Sequence, residues 1–286
     1  MEKLRNYYNL TKPGIIRGNT LAVIAGFLFA SHGTINGWLF LWTILGSALV
    51  MAGGCVLNNF IDRDIDKKMS RTEKRAIVSG TISPFSALVY GATLALAGFI
   101  TLYNFTNNLT VYVGLFGFIF YVYIYAYFKR KTEHGTLVGS ISGAIPPVVG
   151  YSAVSGKIDT GAILIFLILV VWQMPHFYAI AIFRAKEYAS ARVPLLSITR
   201  GNKVTKRYVL TYVLLFIVAS LMPFFYDLLG QTYLLIMLSG GLYWAYVAIV
   251  NYNALSDERW ARKVFGTSLI VLLLFCLSIF LDTTLL

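Results

Sequence analysis

Residues 58–72 read NNFIDRDIDKKMSRT. They follow 38–57, an apolar run with no charged residue. A helix crosses a bilayer in about 17 to 25 apolar residues, so this run is long enough to span. Three aspartates, Asp62, Asp64 and Asp66, thus close a membrane-length segment. A carboxylate carried to membrane depth costs roughly 2.5 to 3.5 kcal/mol, so such residues are rare unless they have work to do.

The rest of the chain supports a membrane setting. It is 58% hydrophobic and 13% charged, with a mean hydropathy of +0.71, far from the composition of soluble domains. Nine segments are predicted to span, at 15–31, 38–60, 84–103, 109–128, 137–154, 161–183, 208–225, 233–250 and 264–281. The expected fold is all-α: a polytopic bundle of nine transmembrane helices with cytoplasmic cap loops, forming one domain over 1–286. The fifth segment is the weakest, because Pro146 and Pro147 interrupt it. Its glycines, serines and alanine suit close helix packing. Cys55 and Cys276 lie in separate apolar segments and read as small buried residues.

The net charge of +12 would fit a nucleic-acid partner, but its distribution does not. Apart from Lys157, every Lys and Arg falls at the N-terminus or after the second, fourth, sixth and eighth segments. That asymmetry orients the chain with its N-terminus inside and its C-terminus outside. The basic residues are topogenic and no nucleic acid is expected. The opening MEKLRNYYNLTKPGII has charge but no short apolar core with a small-residue cleavage site. It reads as neither signal nor transit peptide, which points to a prokaryotic plasma membrane. The longer inner loops follow the second and sixth segments, so chemistry is expected beneath them.

Asn58, Asp62 and Asp66 recur every fourth residue and share one face of a continuing helix, with Arg63 and Asp64 pointing elsewhere. Two carboxylates and an amide stacked there make sense around a cation. Oxygen ligands without a nearby His or Cys pair point to Mg2+, which takes one or two carboxylates plus phosphate oxygens. The basic residues that follow, among them Arg71, Lys74 and Arg75, can complete a diphosphate site.

A second unusual stretch is VVWQMPHFYAIAIFRAKEY, residues 170–188. His176 follows Pro175 in an apolar helix, with Tyr178 near it and Arg184, Lys186 and Glu187 at the exit. A lone histidine in such a helix is commonly a helix–helix hydrogen-bond partner. The kinking proline, Gln173 and the cationic exit make a ligand contact equally natural. Glu187 reads as a salt-bridge partner or a second metal ligand. The aromatic run GLFGFIFYVYIYAYF, residues 114–128, is too rich for an interfacial belt alone. Facing inward, its rings would line an apolar tunnel and favour a carbocation.

Together these residues resemble the UbiA superfamily of intramembrane prenyltransferases. The likeness covers nearly the whole chain. Its first motif, N-x-x-x-D-x-x-x-D, is matched by Asn58, Asp62 and Asp66. LTKPGIIRGN, HGTLVGSISGAIPPVVGY, WQMPHFYAIAIFRAKEY and RWARKVFGTSL carry it further, and the PP and WQMPH segments are similar to the haem-modifying branch. Asn59 stands where quinone-pathway relatives have Asp, and the second motif is reduced to Lys186-Glu187. The resemblance implies farnesyl diphosphate and haem b as substrates, with Mg2+ held by Asn58, Asp62, Asp66 and Glu187. It implies substrate contacts from Arg71, Lys74, Arg75, His176, Tyr178, Arg184 and Lys186, with His176 holding haem by its iron or a propionate. Its pathway suggests association with a haem A-forming enzyme or a terminal oxidase. Two other readings share parts of the pattern: a prenyltransferase for an aromatic acid in quinone synthesis, and a transporter or haem-binding subunit without chemistry.

Overall fold

The computed structural model describes residues 2–250, 252–253 and 256–285. Among them nine helices are long and apolar enough to cross a membrane: α1 Pro13–Ser31, α2 Gly37–Ile61, α3 Pro84–Phe105, α4 Asn108–Lys131, α5 Gly135–Ser155, α6 Thr160–Phe183, α7 Gly201–Phe225, α8 Gln231–Val250 and α9 Asp257–Thr283. All nine expected spans are present, and the fold is all-helical.

The differences lie at the ends and within two helices. The seventh and ninth helices begin at Gly201 and Asp257, well before their apolar runs. Basic residues expected in loops are therefore helical. Lys206 is buried there. Its ammonium donates to the Tyr252 carbonyl (2.5 Å) and to Asp257 (3.1 Å), and it lies over the rings of Tyr252 and Trp260. Hydropathy cannot anticipate such a fully partnered lysine. Helix α4 widens to π-type hydrogen bonding over Phe120–Tyr125, a deviation that often accompanies functional sites. Helix α5 breaks at Ala144 into Gly135–Gly143 and Ile145–Ser155. Pro146 and Pro147 open the second half, where a missing N–H costs little.

Small residues set how closely the helices approach. A Cβ on Gly26 of α1 would overlap the Pro147 carbonyl, and one on Gly150 of α5 would overlap that of Val23. Backbone therefore meets backbone where α1 crosses α5. Gly53 and Gly98 make a similar seam between α2 and α3, against Ala95 and Val50. Large apolar side chains such as Leu96, Tyr112, Leu214, Leu242 and Leu273 remain exposed around the outside. Lipid suits such a surface and water does not.

Two cap segments, 62–83 and 184–200, close the charged end of the bundle. They lean on each other through a small apolar cluster of Ile65, Met69, Ala191 and Val193, and the Ser190 hydroxyl lies between the Glu187 carbonyl (2.7 Å) and the Lys68 carbonyl (2.9 Å). Glu133, at the α4–α5 turn, ties in the second cap through the Thr199 hydroxyl (2.6 Å) and Arg200. Those two partners hold its carboxyl below the usual range.

Gly150→Val is expected to lower stability by about 1–3 kcal/mol or more, since the helices must separate. Gly37→Ala, where a Cβ meets nothing within 4 Å, should stay within about 0.5 kcal/mol. Thermal unfolding of the two variants in detergent checks the contrast.

Candidate active site

Helix α2 carries the acidic motif to the charged end. The α-helix breaks at Asp62 and resumes as one turn, Arg63–Asp66. The hydrogen-bond spacing nevertheless persists: Asp62 N donates to Asn58 O at 2.9 Å, and Asp66 N to Asp62 O at 2.8 Å. Asn58, Asp62 and Asp66 accordingly line one cavity, as their spacing predicts. Asp64 points away and forms a two-pronged pair with Arg130 at 2.7 and 2.8 Å. That pair holds the Asp64 carboxyl below the usual range.

The three motif residues are 2–3% exposed, and each is met by a cation from elsewhere. Lys12, just before α1, donates to Asn58 Oδ1 at 2.7 Å. Lys129, on the last turn of α4, donates to Asp62 Oδ2 at 2.6 Å, and Arg130 stands 3.5 Å from Asp62 Oδ1. Arg75 bonds Asp66 and reaches Asn59 Oδ1 at 3.0 Å. Asn59 in turn donates to the Leu10 carbonyl at 2.8 Å, so it braces the N-terminal segment against the motif. Burial pushes the Lys12 ammonium down to about 8.

Below this charged mouth lies a cavity of about 880 Å3. Met51, Gly54, Cys55, Phe118, Tyr121 and Tyr125 line one side of it. Only part of the aromatic run 114–128 thus faces inward. Tyr121 and Tyr125, one turn apart in the π-type stretch, stack at 5.9 Å, while Phe116, Tyr123 and Tyr127 face outward. The other side is lined by Ile15, Gly18, Trp172, His176, Phe177 and Phe265, from α1, α6 and α9. Gln173 fixes the break in α5, donating to the Ser140 carbonyl at 3.1 Å.

Of the remaining expected residues, Arg71, Arg75, His176 and Arg184 line the cavity, and Tyr178, Lys74 and Lys186 do not. Tyr178 is a correction. It is buried against Tyr208 and Tyr212 of α7, because two residues along a helix turn about 200° from His176. Lys74 and Lys186 are exposed on the caps. Glu187 pairs with Arg184 at 2.7 Å and with Arg71 at 3.6 Å. Among the described residues no group of three His, Cys, Asp or Glu stands close enough to hold a metal, so Glu187 does not join Asp62 and Asp66 in a three-carboxylate cluster. Sequence reasoning assigned Lys12, Lys129 and Arg262 to topology alone, yet all three line the cavity.

The donor set suits a hard divalent cation completed by phosphate oxygens and water. It offers two carboxylates and an amide, all oxygen ligands. Asp62 Oδ1 is buried without a hydrogen bond, with Arg130 3.5 Å away, and is an acceptor that a bound cation would satisfy.

The chain belongs to the UbiA prenyltransferase family, whose sequence profile matches residues 19–278. It is 48% identical over 270 residues to the protoheme IX farnesyltransferase of Yersinia pseudotuberculosis serotype O:1b (strain IP 31758), covering 94% of this chain and 92% of that protein. Among solved structures, a digeranylgeranylglyceryl phosphate synthase superposes with a TM-score of 0.81 at 22% identity, covering both chains fully. A UbiA homologue from Archaeoglobus fulgidus, bound to DMAPP and Mg2+, superposes with a TM-score of 0.74 at 14% identity, over 98% of this chain and all of that one.

Removing Arg75 leaves the buried Asp66 carboxylate without its cation. Arg75→Met is expected to destabilise the protein by about 3–5 kcal/mol, and Asp64→Asn, at an exposed pair, by about 1 kcal/mol or less. Denaturant titration in detergent measures both, and equal effects would contradict the burial argument.

Proposed function

We propose that this prenyltransferase moves a farnesyl group from farnesyl diphosphate to a vinyl group of protohaem IX, with addition of water, and so makes haem O. The observation that carries this reading is the 48% identity, over nearly the full length of both chains, to a protoheme IX farnesyltransferase. Family membership argues against a transporter without chemistry, and that relative favours haem over an aromatic acid as acceptor.

In this reading the diphosphate lies in the charged mouth and the isoprenoid tail in the apolar cavity. Asn58, Asp62 and Asp66 would hold Mg2+, which when bound neutralises charge on the departing pyrophosphate. Arg71, Arg75 and Arg184 face the same space and stabilise that charge as the allylic C–O bond breaks. Lys12 and Lys129 contribute likewise, exchanging their hold on Asn58 and Asp62 for phosphate oxygens. Lys74 and Lys186 act from the cap surface by long-range attraction only. Glu187 orients Arg184 and Arg71 through its ion pairs. The rings of Phe118, Tyr121 and Tyr125 line the cavity and would favour an allylic cation, and the helix bundle keeps bulk water from quenching it. His176 belongs to the haem side of the cavity.

The whole chain, 1–286, acts as one intramembrane domain. The charged end faces the cytoplasm of a prokaryote, with the N-terminus inside and the C-terminus outside. A haem A-forming enzyme or a terminal oxidase assembly is the partner class that would consume the product.

Mass spectrometry of haem, after incubating purified protein with haem b, farnesyl diphosphate and Mg2+, tests the activity. A hydroxyethylfarnesyl haem that vanishes with EDTA is the expected result. Asp62→Ala should lower its formation by at least about 10²–10³-fold with the fold intact. Wild-type turnover by that variant would refute the metal-holding role.

A further inference from the structure

Trp172 and His176 stand one turn apart on α6, and both bond the same residue of α9. Trp172 Nε1 donates to the Ser268 carbonyl at 2.9 Å, and His176 Nδ1 lies 2.8 Å from Ser268 Oγ. The direction of the second bond follows from a third. Ser268 Oγ is 2.6 Å from the Phe265 carbonyl, and a carbonyl can only accept. With the single hydroxyl hydrogen on that shorter contact, Oγ accepts from His176 Nδ1–H. A neutral imidazole protonated at Nδ1 carries its free lone pair on Nε2. The ring packs against Trp172 (centroids 5.0 Å, 26°) and Phe265 (4.7 Å, 36°). His176 also lines the cavity.

We infer that His176 Nε2 is an axial ligand to the iron of bound haem, and that Ser268 is the positioning residue that fixes its tautomer. The inference rests on the haem-farnesylating reading and makes its acceptor site specific. An Nε2 lone pair can coordinate iron. It cannot donate to a propionate, so the tautomer decides between the two ways this histidine could hold haem. Metal-ligating histidines commonly donate their second nitrogen to a fixed acceptor, and losing that acceptor weakens metal binding by about 10–100-fold. Here the acceptor is a hydroxyl tethered to the backbone of its own helix, and Trp172 pins that residue from α6.

The test is titration of the purified full-length protein with ferric haem b in detergent, followed by the Soret band and electron paramagnetic resonance. Wild type is expected to give an imidazole-ligated spectrum. His176→Ala should still take haem into the apolar cavity but lose that signature, and His176→Gly should regain it with added imidazole. Ser268→Ala should weaken the ligated form by about 10–100-fold, and Ser268→Thr, which keeps the hydroxyl, should restore it. Haem bound with the same spectrum in wild type and His176→Ala would overturn iron ligation while leaving the haem reading standing. Unchanged affinity and spectrum in Ser268→Ala, beside a changed His176→Ala, would overturn the positioning role. Absence of any haem binding by wild type, with farnesyl diphosphate still bound, would remove the haem reading itself.

Discussion

Asp62 and Asp66 are withdrawn from water at the end of a membrane-spanning helix, and the architecture of the charged end answers to that. An ionised carboxylate in such a place is tolerable only when cations and hydrogen bonds replace its hydration. The cations come from different parts of the chain: Lys12 from the segment before α1, Lys129 and Arg130 from the end of α4, and Arg75 from the first cap. The acidic motif thus draws α1, α2, α4 and a cap to one point. Under that point the glycine seams bring the helices close enough to wall the cavity. In the proposed reading the same cations also face the diphosphate, so the constraint on folding and the recognition of substrate would share one set of side chains.

The two sides of the cavity solve different problems. One is lined by Phe118, Tyr121 and Tyr125 beneath the charged mouth, suited to a flexible apolar chain tethered to a polyanion. The other is built from α1, α6 and α9 around His176, where aromatic rings and a hydrogen bond to α9 hold the imidazole in place. The two halves meet between the caps and the break in α5. That break is secured by Gln173, only three residues from His176.

The nine spans were legible because an apolar run of membrane length is hard to bury in anything but lipid or a helix bundle, and the proline pair in 137–154 announced its own break. Asn58, Asp62 and Asp66 were legible because their four-residue spacing survives the end of α2. What sequence could not give is pairing across distance. Lys129 lies 67 residues from Asp62, and a count of basic residues by loop assigns it to topology whether or not it has a partner. Lys206 was hidden in the same way, since its partners lie beyond α8. Tyr178 was placed beside His176 by proximity in sequence, although helical geometry turns it to α7. The π-type stretch that sets Tyr121 and Tyr125 on the cavity leaves no compositional trace. His176 admitted two readings, a helix–helix bond or a ligand contact. The Nδ1 contact with α9 realises the first, and the place of the same residue on the cavity wall leaves room for the second.

The crossing of α1 over α5 also has a mechanical side. Around Val23 to Gly26 the two backbones touch and cannot part without loss of packing. Toward the charged end the same helix carries Gly14 and Gly18, beside which a further atom would find open space. Helix α1 is held on both sides of these glycines, by the crossing with α5 and by the segment just before it, where Lys12 and the Leu10 carbonyl bond Asn58 and Asn59. Between those anchors Gly14 and Gly18 line the cavity, so its width there comes from side chains left out and not from helices that part.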